Sequence, residues 1–125
     1  MILDTNALSA FIDGDATVGR MLQAEARACI PVIALGEFRY GILQSRHRAE
    51  YEEWLRAHLG QFEVLDIGEA TTNAYAEVRA ALKKQGTPIP ANDAWIAALA
   101  WQHRLPILSR DQHFDLVPQV TRREW

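Results

Sequence analysis

The chain has almost no cysteine: Cys29 is the only one among 125 residues. A single thiol excludes an internal disulfide and a zinc site built from several cysteines. We therefore expect a reducing, cytoplasmic setting. Cys29 lies in a short apolar run, which favours the role of a small core side chain.

Long hydrophobic runs and an excess of positive charge are also missing. Charge or proline interrupts the apolar stretches before they reach the ~20 residues of a membrane-spanning helix. No basic region of a signal peptide opens the chain, and we expect no contact with a membrane. The formal net charge of −3 argues against a surface coated in positive charge for general nucleic-acid binding. A net negative charge still permits a local basic surface on one part of the protein.

Short apolar runs alternate with amphipathic helical patterns along the whole chain. Strands are predicted at residues 1–4, 29–32, 62–67 and 106–108, with a short fifth strand near 117–120. Helices are predicted over residues 5–12, 16–28, 33–44, 48–59, 70–84 and 92–103. Strands separated by helices predict an α/β fold: one domain over residues 1–125, with a central parallel sheet of four to five short strands and helices on both faces.

Four acidic residues stand beside these apolar segments. Asp4 follows the first predicted strand, Glu37 comes just past the second, and Asp111 just past the fourth. Ligands of open parallel sheets bind beyond the carboxyl ends of the strands, so we expect these three acids at one edge. Asp93 opens the helix before the fourth strand, and the pattern alone does not fix its distance from that edge.

Grouped carboxylates are the ligands that Mg²⁺ and Mn²⁺ take in proteins. Such an ion lowers the pKa of bound water and stabilises charge on a phosphate oxygen. The carboxylates also repel each other, so at least one should have a raised pKa without metal. The set of acids therefore predicts metal-assisted chemistry.

Each acid also has a purely structural interpretation. Asp4 and Asp93 can cap the helices that begin beside them, and Asp111 can form a turn. Glu37 is the hardest to explain as a surface residue, because apolar residues surround it in its helix. A buried ion pair of Glu37 with Arg39 or another arginine stays open.

Other side chains near the acids have weaker signals. The hydroxyl groups of Thr5 and Ser109 can bind a carboxylate or a phosphate, or simply cap a helix. His113 is close enough to Asp111 to tune it, although a role in a surface turn is more common. The sequence contains no Gly-rich phosphate loop and no G-x-S-x-G motif.

Four motifs, in their order and intervals, resemble those of the PIN-domain ribonucleases, in particular the VapC-type toxins of bacterial toxin–antitoxin modules. The segments that carry the resemblance are Met1-Ile-Leu-Asp-Thr-Asn6, Pro31-Val-Ile-Ala-Leu-Gly-Glu-Phe-Arg-Tyr-Gly41, Ile89-Pro-Ala-Asn-Asp-Ala-Trp-Ile-Ala-Ala98 and Leu105-Pro-Ile-Leu-Ser-Arg-Asp111. Together they span nearly the whole chain.

The resemblance implies an endoribonuclease that hydrolyses RNA with Mg²⁺ or Mn²⁺. The acidic positions of the family correspond to Asp4, Glu37, Asp93 and Asp111, which would hold metal and orient the attacking water. The residues expected near the site are Thr5, Asn92 and Ser109. The fourth acid is the least constant one in the family, so Asp115 stays open as a substitute for Asp111. The family also implies a homodimer and a small VapB-like antitoxin whose C-terminal segment lies across the active-site groove.

RNA must approach an acidic pocket, so neighbouring cations should guide its backbone, and Arg39, Arg46 and Arg110 are the candidates. Two other functions stay open. Asp4 after a strand also fits the nucleophile of an aspartyl phosphatase, although the usual second acid is replaced by Asn6. The third hypothesis is a non-catalytic module that binds RNA or a peptide through the same groove.

Overall fold

Short apolar strands alternate with helices along the chain in a computed structural model that describes all 125 residues. The elements are β1 (Ile2–Leu3), α1 (Thr5–Ile12), α2 (Ala16–Gln23), β2 (Cys29–Pro31), α3 (Val32–Leu43), α4 (Arg48–His58), β3 (Glu63–Leu65), α5 (Glu69–Gln85), α6 (Ala91–His103), β4 (Ile107–Leu108) and β5 (Arg122–Arg123). Single 3₁₀ segments cover Leu59–Gln61 and Gln112–Leu116. No helix combines the length and the apolar character that crossing a bilayer requires.

The five strands form one sheet in the order β3-β2-β1-β4-β5, and every neighbouring pair is parallel. β1 lies in the middle, where Ile2 pairs with both Cys29 and Ile107. Parallel neighbours require a long connection between them, and the helices provide it. The predicted α/β fold with a parallel sheet of four to five strands is confirmed.

The sheet buries side chains on both faces, because successive residues of a strand point in opposite directions. Ile2 and Ile107 pack into a cluster of 19 buried residues that α3, α4, α5 and α6 complete. Leu3 and Leu108 pack into a smaller cluster with Leu22 of α2. Helices therefore cover both faces of the sheet, as predicted.

The fifth strand is not where the apolar pattern placed it, and that prediction is wrong. β5 is Arg122–Arg123, whereas Val117 is a buried core residue outside any strand. Pro118 carries no N–H for a ladder, and Gln119 has a φ of 65°, so the chain turns there. Two consecutive arginines have no apolar pattern, which explains why the sequence gave no signal for this edge strand.

α2 also ends earlier than predicted, at Gln23 instead of residue 28. The residues that follow carry the chain back to the start of β2. In this connection the carbonyl of Arg27 accepts a hydrogen bond of 2.6 Å from the charged amino group of Met1. The remaining boundaries lie within a few residues of the predicted ones.

Candidate active site

Asp4 is the buried acid of the site. It directly follows β1 and is the N-cap of α1, where its Oδ1 accepts a hydrogen bond of 2.9 Å from the N–H of Ala7. Its Oδ2 accepts the hydroxyl hydrogen of Ser109, and only 5% of the residue is exposed. Burial raises the pKa of Asp4, and the charges of Asp111 and Asp93 add to this, although both hydrogen bonds oppose it. Asp4 thus caps a helix and also lies in the field of the other acids.

Asp93 and Asp111 reach the same edge from two different elements. α6 runs back along the sheet before β4 begins, so its first turn, which contains Asp93, lies at the carboxyl end of the strands. Asp111 follows β4 and caps the 3₁₀ segment after it. Burial raises the pKa of Asp93 and so does the charge of Asp111, against a hydrogen bond from His113.

His113 lies between these two acids. Its Nδ1 is 3.1 Å from Oδ2 of Asp93 and 3.0 Å from Oδ1 of Asp111. The hydrogen bond to Asp93 is the main reason why the pKa of His113 is raised. Sequence reasoning gave this histidine a surface turn and missed the contact with Asp93. The spacing Asp111-Gln112-His113 was a signal for the first contact, but nothing in the pattern brought the α6 acid close.

Glu37 joins the acids from α3. The residue is exposed, whereas its apolar neighbours in the helix predicted burial. Partial desolvation of its carboxyl group raises the pKa of Glu37, and so do the charges of Asp93 and Asp4, while the hydroxyl group of Thr5 lowers it. The ion pair with an arginine, which the sequence left open, is not found. Glu37 therefore has no cation to neutralise it.

The pKa values test one prediction about the group of acids directly. At least one acid was expected to have a raised pKa without metal, and this is confirmed for Asp4, Glu37 and Asp93. Repulsion between the carboxylates contributes to each shift, but loss of water is the larger cause in all three. An unneutralised, partly dehydrated set of carboxylates binds a cation readily.

Asp115, the substitute considered for Asp111, stands apart from this group. Both of its carboxylate oxygens accept hydrogen bonds of 2.9 Å from the guanidinium group of Arg122. That arginine lowers the pKa of Asp115. The structure thus brings Asp111, and not Asp115, together with the other acids.

A groove of about 210 Å³ opens beside Glu37, between α1, α3 and α4. Thr5 of α1 and Ser45 after α3 are among the residues that line it. Tyr51 of α4 donates its hydroxyl hydrogen to Asp13 at 2.8 Å and so helps to join the two sides. The groove has both polar and apolar walls, is open to solvent and includes Glu37 in its lining.

The remaining predicted residues lie near the site to different degrees. Asn92 is exposed in the first turn of α6, next to Asp93, and Arg46 is exposed just after the groove residue Ser45. Arg110 precedes Asp111, and its guanidinium carbon lies 4.5 Å from the ring centre of Trp125. Arg39 is two residues from Glu37, a rotation of ~200° around an α-helix, so it leaves α3 on a different side. The roles of all these residues stay predictions.

Comparison with known proteins agrees with this geometry. The model of the PIN domain family matches residues 1–120. Ribonuclease VapC4 of Mycobacterium tuberculosis is 38% identical over 93 residues, which cover 73% of this chain and 72% of the relative. The solved VapBC2 of Rickettsia felis, bound to a DNA fragment from its promoter, gives a TM-score of 0.89 at 25% identity and covers 99% of this chain and 97% of its own. DNA-bound VapBC of Salmonella typhimurium gives a TM-score of 0.86 at 26% identity, with 99% and 96% covered.

The chain therefore belongs to the PIN domain family. Its relatives within that family are VapC ribonucleases, and solved neighbours are VapBC toxin–antitoxin complexes. The family match and the named relatives confirm the resemblance to VapC-type PIN-domain ribonucleases and the predicted function as an endoribonuclease toxin.

Proposed function

We propose that this toxin cleaves RNA with a divalent metal ion held by Asp4, Glu37, Asp93 and Asp111. One observation supports the proposal: the carboxylates that follow β1 and β4, and those in α3 and at the start of α6, lie close enough for their charges to raise the pKa values of Asp4, Glu37 and Asp93. None of them forms an ion pair with lysine or arginine, and the only basic side chain in contact with any of them is that of His113.

The donor set fits such an ion. Oxygen ligands in this number suit Mg²⁺ or Mn²⁺, and the raised pKa values of Asp4, Glu37 and Asp93 indicate carboxylates that lack positive charge. When bound, the ion supplies that charge, acidifies water and stabilises negative charge on a phosphate oxygen.

The chain's own residues have distinct tasks in this proposal. Asp4 is the fixed anchor, because Ser109 and the N–H of Ala7 hold both of its oxygens. Glu37 is exposed and has a raised pKa, so it is placed to accept a proton from the water that attacks phosphorus. The hydroxyl group of Thr5, which lines the same groove and lowers the pKa of Glu37, is placed to orient it.

RNA is proposed to reach the acids along the groove beside Glu37. The protein as a whole is negative, with a net charge of −3, so local cations must receive the phosphates. Arg46 directly follows the groove residue Ser45 in the chain, and Arg110 directly precedes Asp111. Asn92 is available for a polar contact next to Asp93.

An antitoxin that covers this region is the partner we propose, as a small VapB-like protein. Solved relatives contain such toxin–antitoxin pairs. Tyr40 and Leu43 of α3 are 66% and 53% exposed, and large apolar side chains grouped on a surface are typical of a protein interface. We further propose a homodimer that acts in the cytoplasm, where RNA and the antitoxin are made.

The aspartyl phosphatase hypothesis finds no support in the geometry. Position 6, where such a phosphatase has its second acid, holds an exposed asparagine. A module that only binds RNA has no need of several carboxylates with raised pKa values, because they would repel the phosphates.

A time course on total RNA tests the proposed function. The purified protein is incubated with Mg²⁺, with Mn²⁺ and with EDTA, and the new RNA ends are sequenced. We expect discrete cuts with either ion, no cuts in EDTA, and no cuts by Asp4→Asn in any buffer. Undiminished cleavage in EDTA would refute the role of the metal, and release of phosphate from a small phosphomonoester without RNA cleavage would favour the phosphatase.

A further inference from the structure

We propose that His113 is a nitrogen ligand of the divalent ion, so that the site takes a first-row transition ion such as Mn²⁺ in preference to Mg²⁺. The inference rests on the proposed function, because it concerns the same ion. It adds a ligand that the sequence pattern of acids does not contain.

The inference is based on the position of one atom in the imidazole ring of His113. Nδ1 of His113 lies 3.1 Å from Oδ2 of Asp93 and 3.0 Å from Oδ1 of Asp111. Adjacent ligands of an octahedral ion with bonds of ~2.1 Å are separated by ~3.0 Å. The three donor atoms all lie within 4.8 Å of one another. The two contacts of Nδ1, which are hydrogen-bonding contacts in the absence of an ion, therefore have the length that separates neighbouring ligands of one ion.

The backbone holds the imidazole in this place. The N–H of His113 donates to Oδ1 of Asp111 at 2.9 Å, which closes the turn between them. The next residue, Phe114, is fully buried and anchors the 3₁₀ segment in the core. The side chain of His113 itself stays 47% exposed, so an ion can reach it from solvent. The ring thus faces both carboxylates and the solvent at the same time.

The chemical type of the ligand atoms, nitrogen or oxygen, determines which divalent ion the site prefers. Mg²⁺ prefers oxygen ligands and keeps several waters, whereas imidazole is a good ligand for first-row transition ions. One nitrogen among the carboxylates therefore shifts the preference from Mg²⁺ towards the transition ions. Mn²⁺ is the useful member to test, because it also accepts carboxylates and is paramagnetic.

His47 is a matched control. Its side chain is 56% exposed and its Nδ1 lies 3.6 Å from a carboxylate oxygen of Glu50, so it is also an exposed histidine beside an acid. It is the N-cap of α4, and its ion pair is with Glu50 and not with one of the four acids. Replacing His47 with glutamine changes the same chemistry without touching the site.

Pulsed electron paramagnetic resonance on the Mn²⁺-loaded full chain gives a readout independent of catalysis. A coordinated imidazole modulates the electron spin echo through its ¹⁴N nucleus. We expect this modulation in the wild type and in His47→Gln, and its loss in His113→Gln. Calorimetric titration at pH 8 should show a loss of about tenfold or more in Mn²⁺ affinity for His113→Gln, and a change of less than about threefold in Mg²⁺ affinity.

Two results would overturn the inference in different ways. If His113 only separates the carboxylates, the wild type shows no nitrogen modulation, and His113→Gln binds both ions equally well or better. The proposed function survives that result if Asp4→Asn and Asp93→Asn still abolish ion binding and RNA cleavage. If the folded wild type binds neither ion and cleaves no RNA, the inference and the proposed function both fail.

Discussion

Ser109 donates its hydroxyl hydrogen to Oδ2 of Asp4 across 105 residues of sequence. The sheet brings the two residues together, because Leu3 pairs with Leu108 at the ends of β1 and β4, and Asp4 and Ser109 are the residues that follow. The same hydroxyl oxygen accepts a hydrogen bond of 2.9 Å from the N–H of Asp111. One buried serine thus ties the acid after β1 to the loop after β4.

Replacing Ser109 with alanine should therefore affect both stability and the acid. Oδ2 of Asp4 loses its donor in a buried position, which should cost about 1–3 kcal/mol in the free energy of unfolding. The pKa of Asp4 should rise further, because the lost hydrogen bond lowers it at present. If cleavage requires ionised Asp4, its rate rises as this acid loses its proton. In Ser109→Ala we expect that rise to occur at a higher pH than in the wild type. Urea unfolding and a pH profile of RNA cleavage measure the two effects.

Thr72→Ala serves as the control for Ser109→Ala. Its hydroxyl group is exposed on α5 and donates to the carbonyl of Glu69, away from the acids. This variant should keep the wild-type pH profile. If Ser109→Ala also kept it, Ser109 would have no influence on the ionisation of Asp4.

Each of the four acids should be needed for cleavage. The amide variants Asp4→Asn, Glu37→Gln, Asp93→Asn and Asp111→Asn remove one charge each with little change in shape. We expect cleavage of a labelled RNA to fall about 100-fold or more in each, a size typical of a lost acid–base or metal-binding group. Circular dichroism should show that all four variants stay folded.

Asp115→Asn decides which acid is the fourth. Because Arg122 already binds Asp115, this variant should cleave within about threefold of the wild type, which is the scatter expected away from the reacting groups. Asp66→Asn, at an exposed position, is a second control. A result in which Asp115→Asn is inactive and Asp111→Asn is active would show that the acids have been assigned wrongly.

Without metal, the contribution of Asp4 to stability should decrease as pH rises. The folded protein raises the pKa of Asp4 above its ordinary value of 3.8, so the folded state binds this proton more tightly than the unfolded chain. Its stabilising effect is complete below about pH 4 and is lost as pH rises through the folded-state value. In EDTA at pH 7, Asp4→Asn should therefore melt at a higher temperature than the wild type.

Added metal should reverse the order of the melting temperatures of the wild type and Asp4→Asn. A divalent ion compensates the carboxylates once their protons have left, so Mn²⁺ should raise the melting temperature of the wild type more at pH 8 than at pH 5. Thermal unfolding at both pH values, with Mn²⁺ and with EDTA, measures this. The pKa of exposed acids such as Glu63 is lowered, here by Arg27, so their contribution to stability changes with pH in the opposite direction. These acids are present in both the wild type and Asp4→Asn. An equal or larger shift at pH 5 would argue against proton release from the site.

Arginines at the site should account for part of the salt dependence of RNA binding. In a Glu37→Gln background, which prevents cleavage, Arg46→Gln or Arg110→Gln should reduce the slope of log affinity against log salt by about one. Arg79→Gln is the control, because Arg79 lies over Tyr75 on α5. If the slope were unchanged in both site variants, RNA would follow another path to the acids.

Much of the fold was predictable because burial leaves a direct pattern in the sequence. The apolar runs before Asp4 and before Ser109 are buried on both sides, and this is the pattern of parallel strands. β5 escaped prediction, since Arg122–Arg123 joins an edge through backbone hydrogen bonds that do not depend on side-chain type.

The candidate site was predictable to the extent that strand ends meet at one edge. That rule placed Asp4 and Asp111 together, and their common link to Ser109 follows from the register. The exposure of Glu37 was not predictable, because apolar neighbours in a helix can all point to one side. The contact between His113 and Asp93 depends on how α6 packs against the loop after β4, which no local pattern encodes.

Diffraction from a crystal soaked in Mn²⁺, recorded at the manganese absorption edge, tests the central claim most directly. We predict an anomalous peak among Asp4, Glu37, Asp93 and Asp111, with His113 in contact and no peak of similar height in Asp93→Asn crystals. Absence of a peak there at millimolar Mn²⁺, or a peak only elsewhere on the surface, would contradict the account.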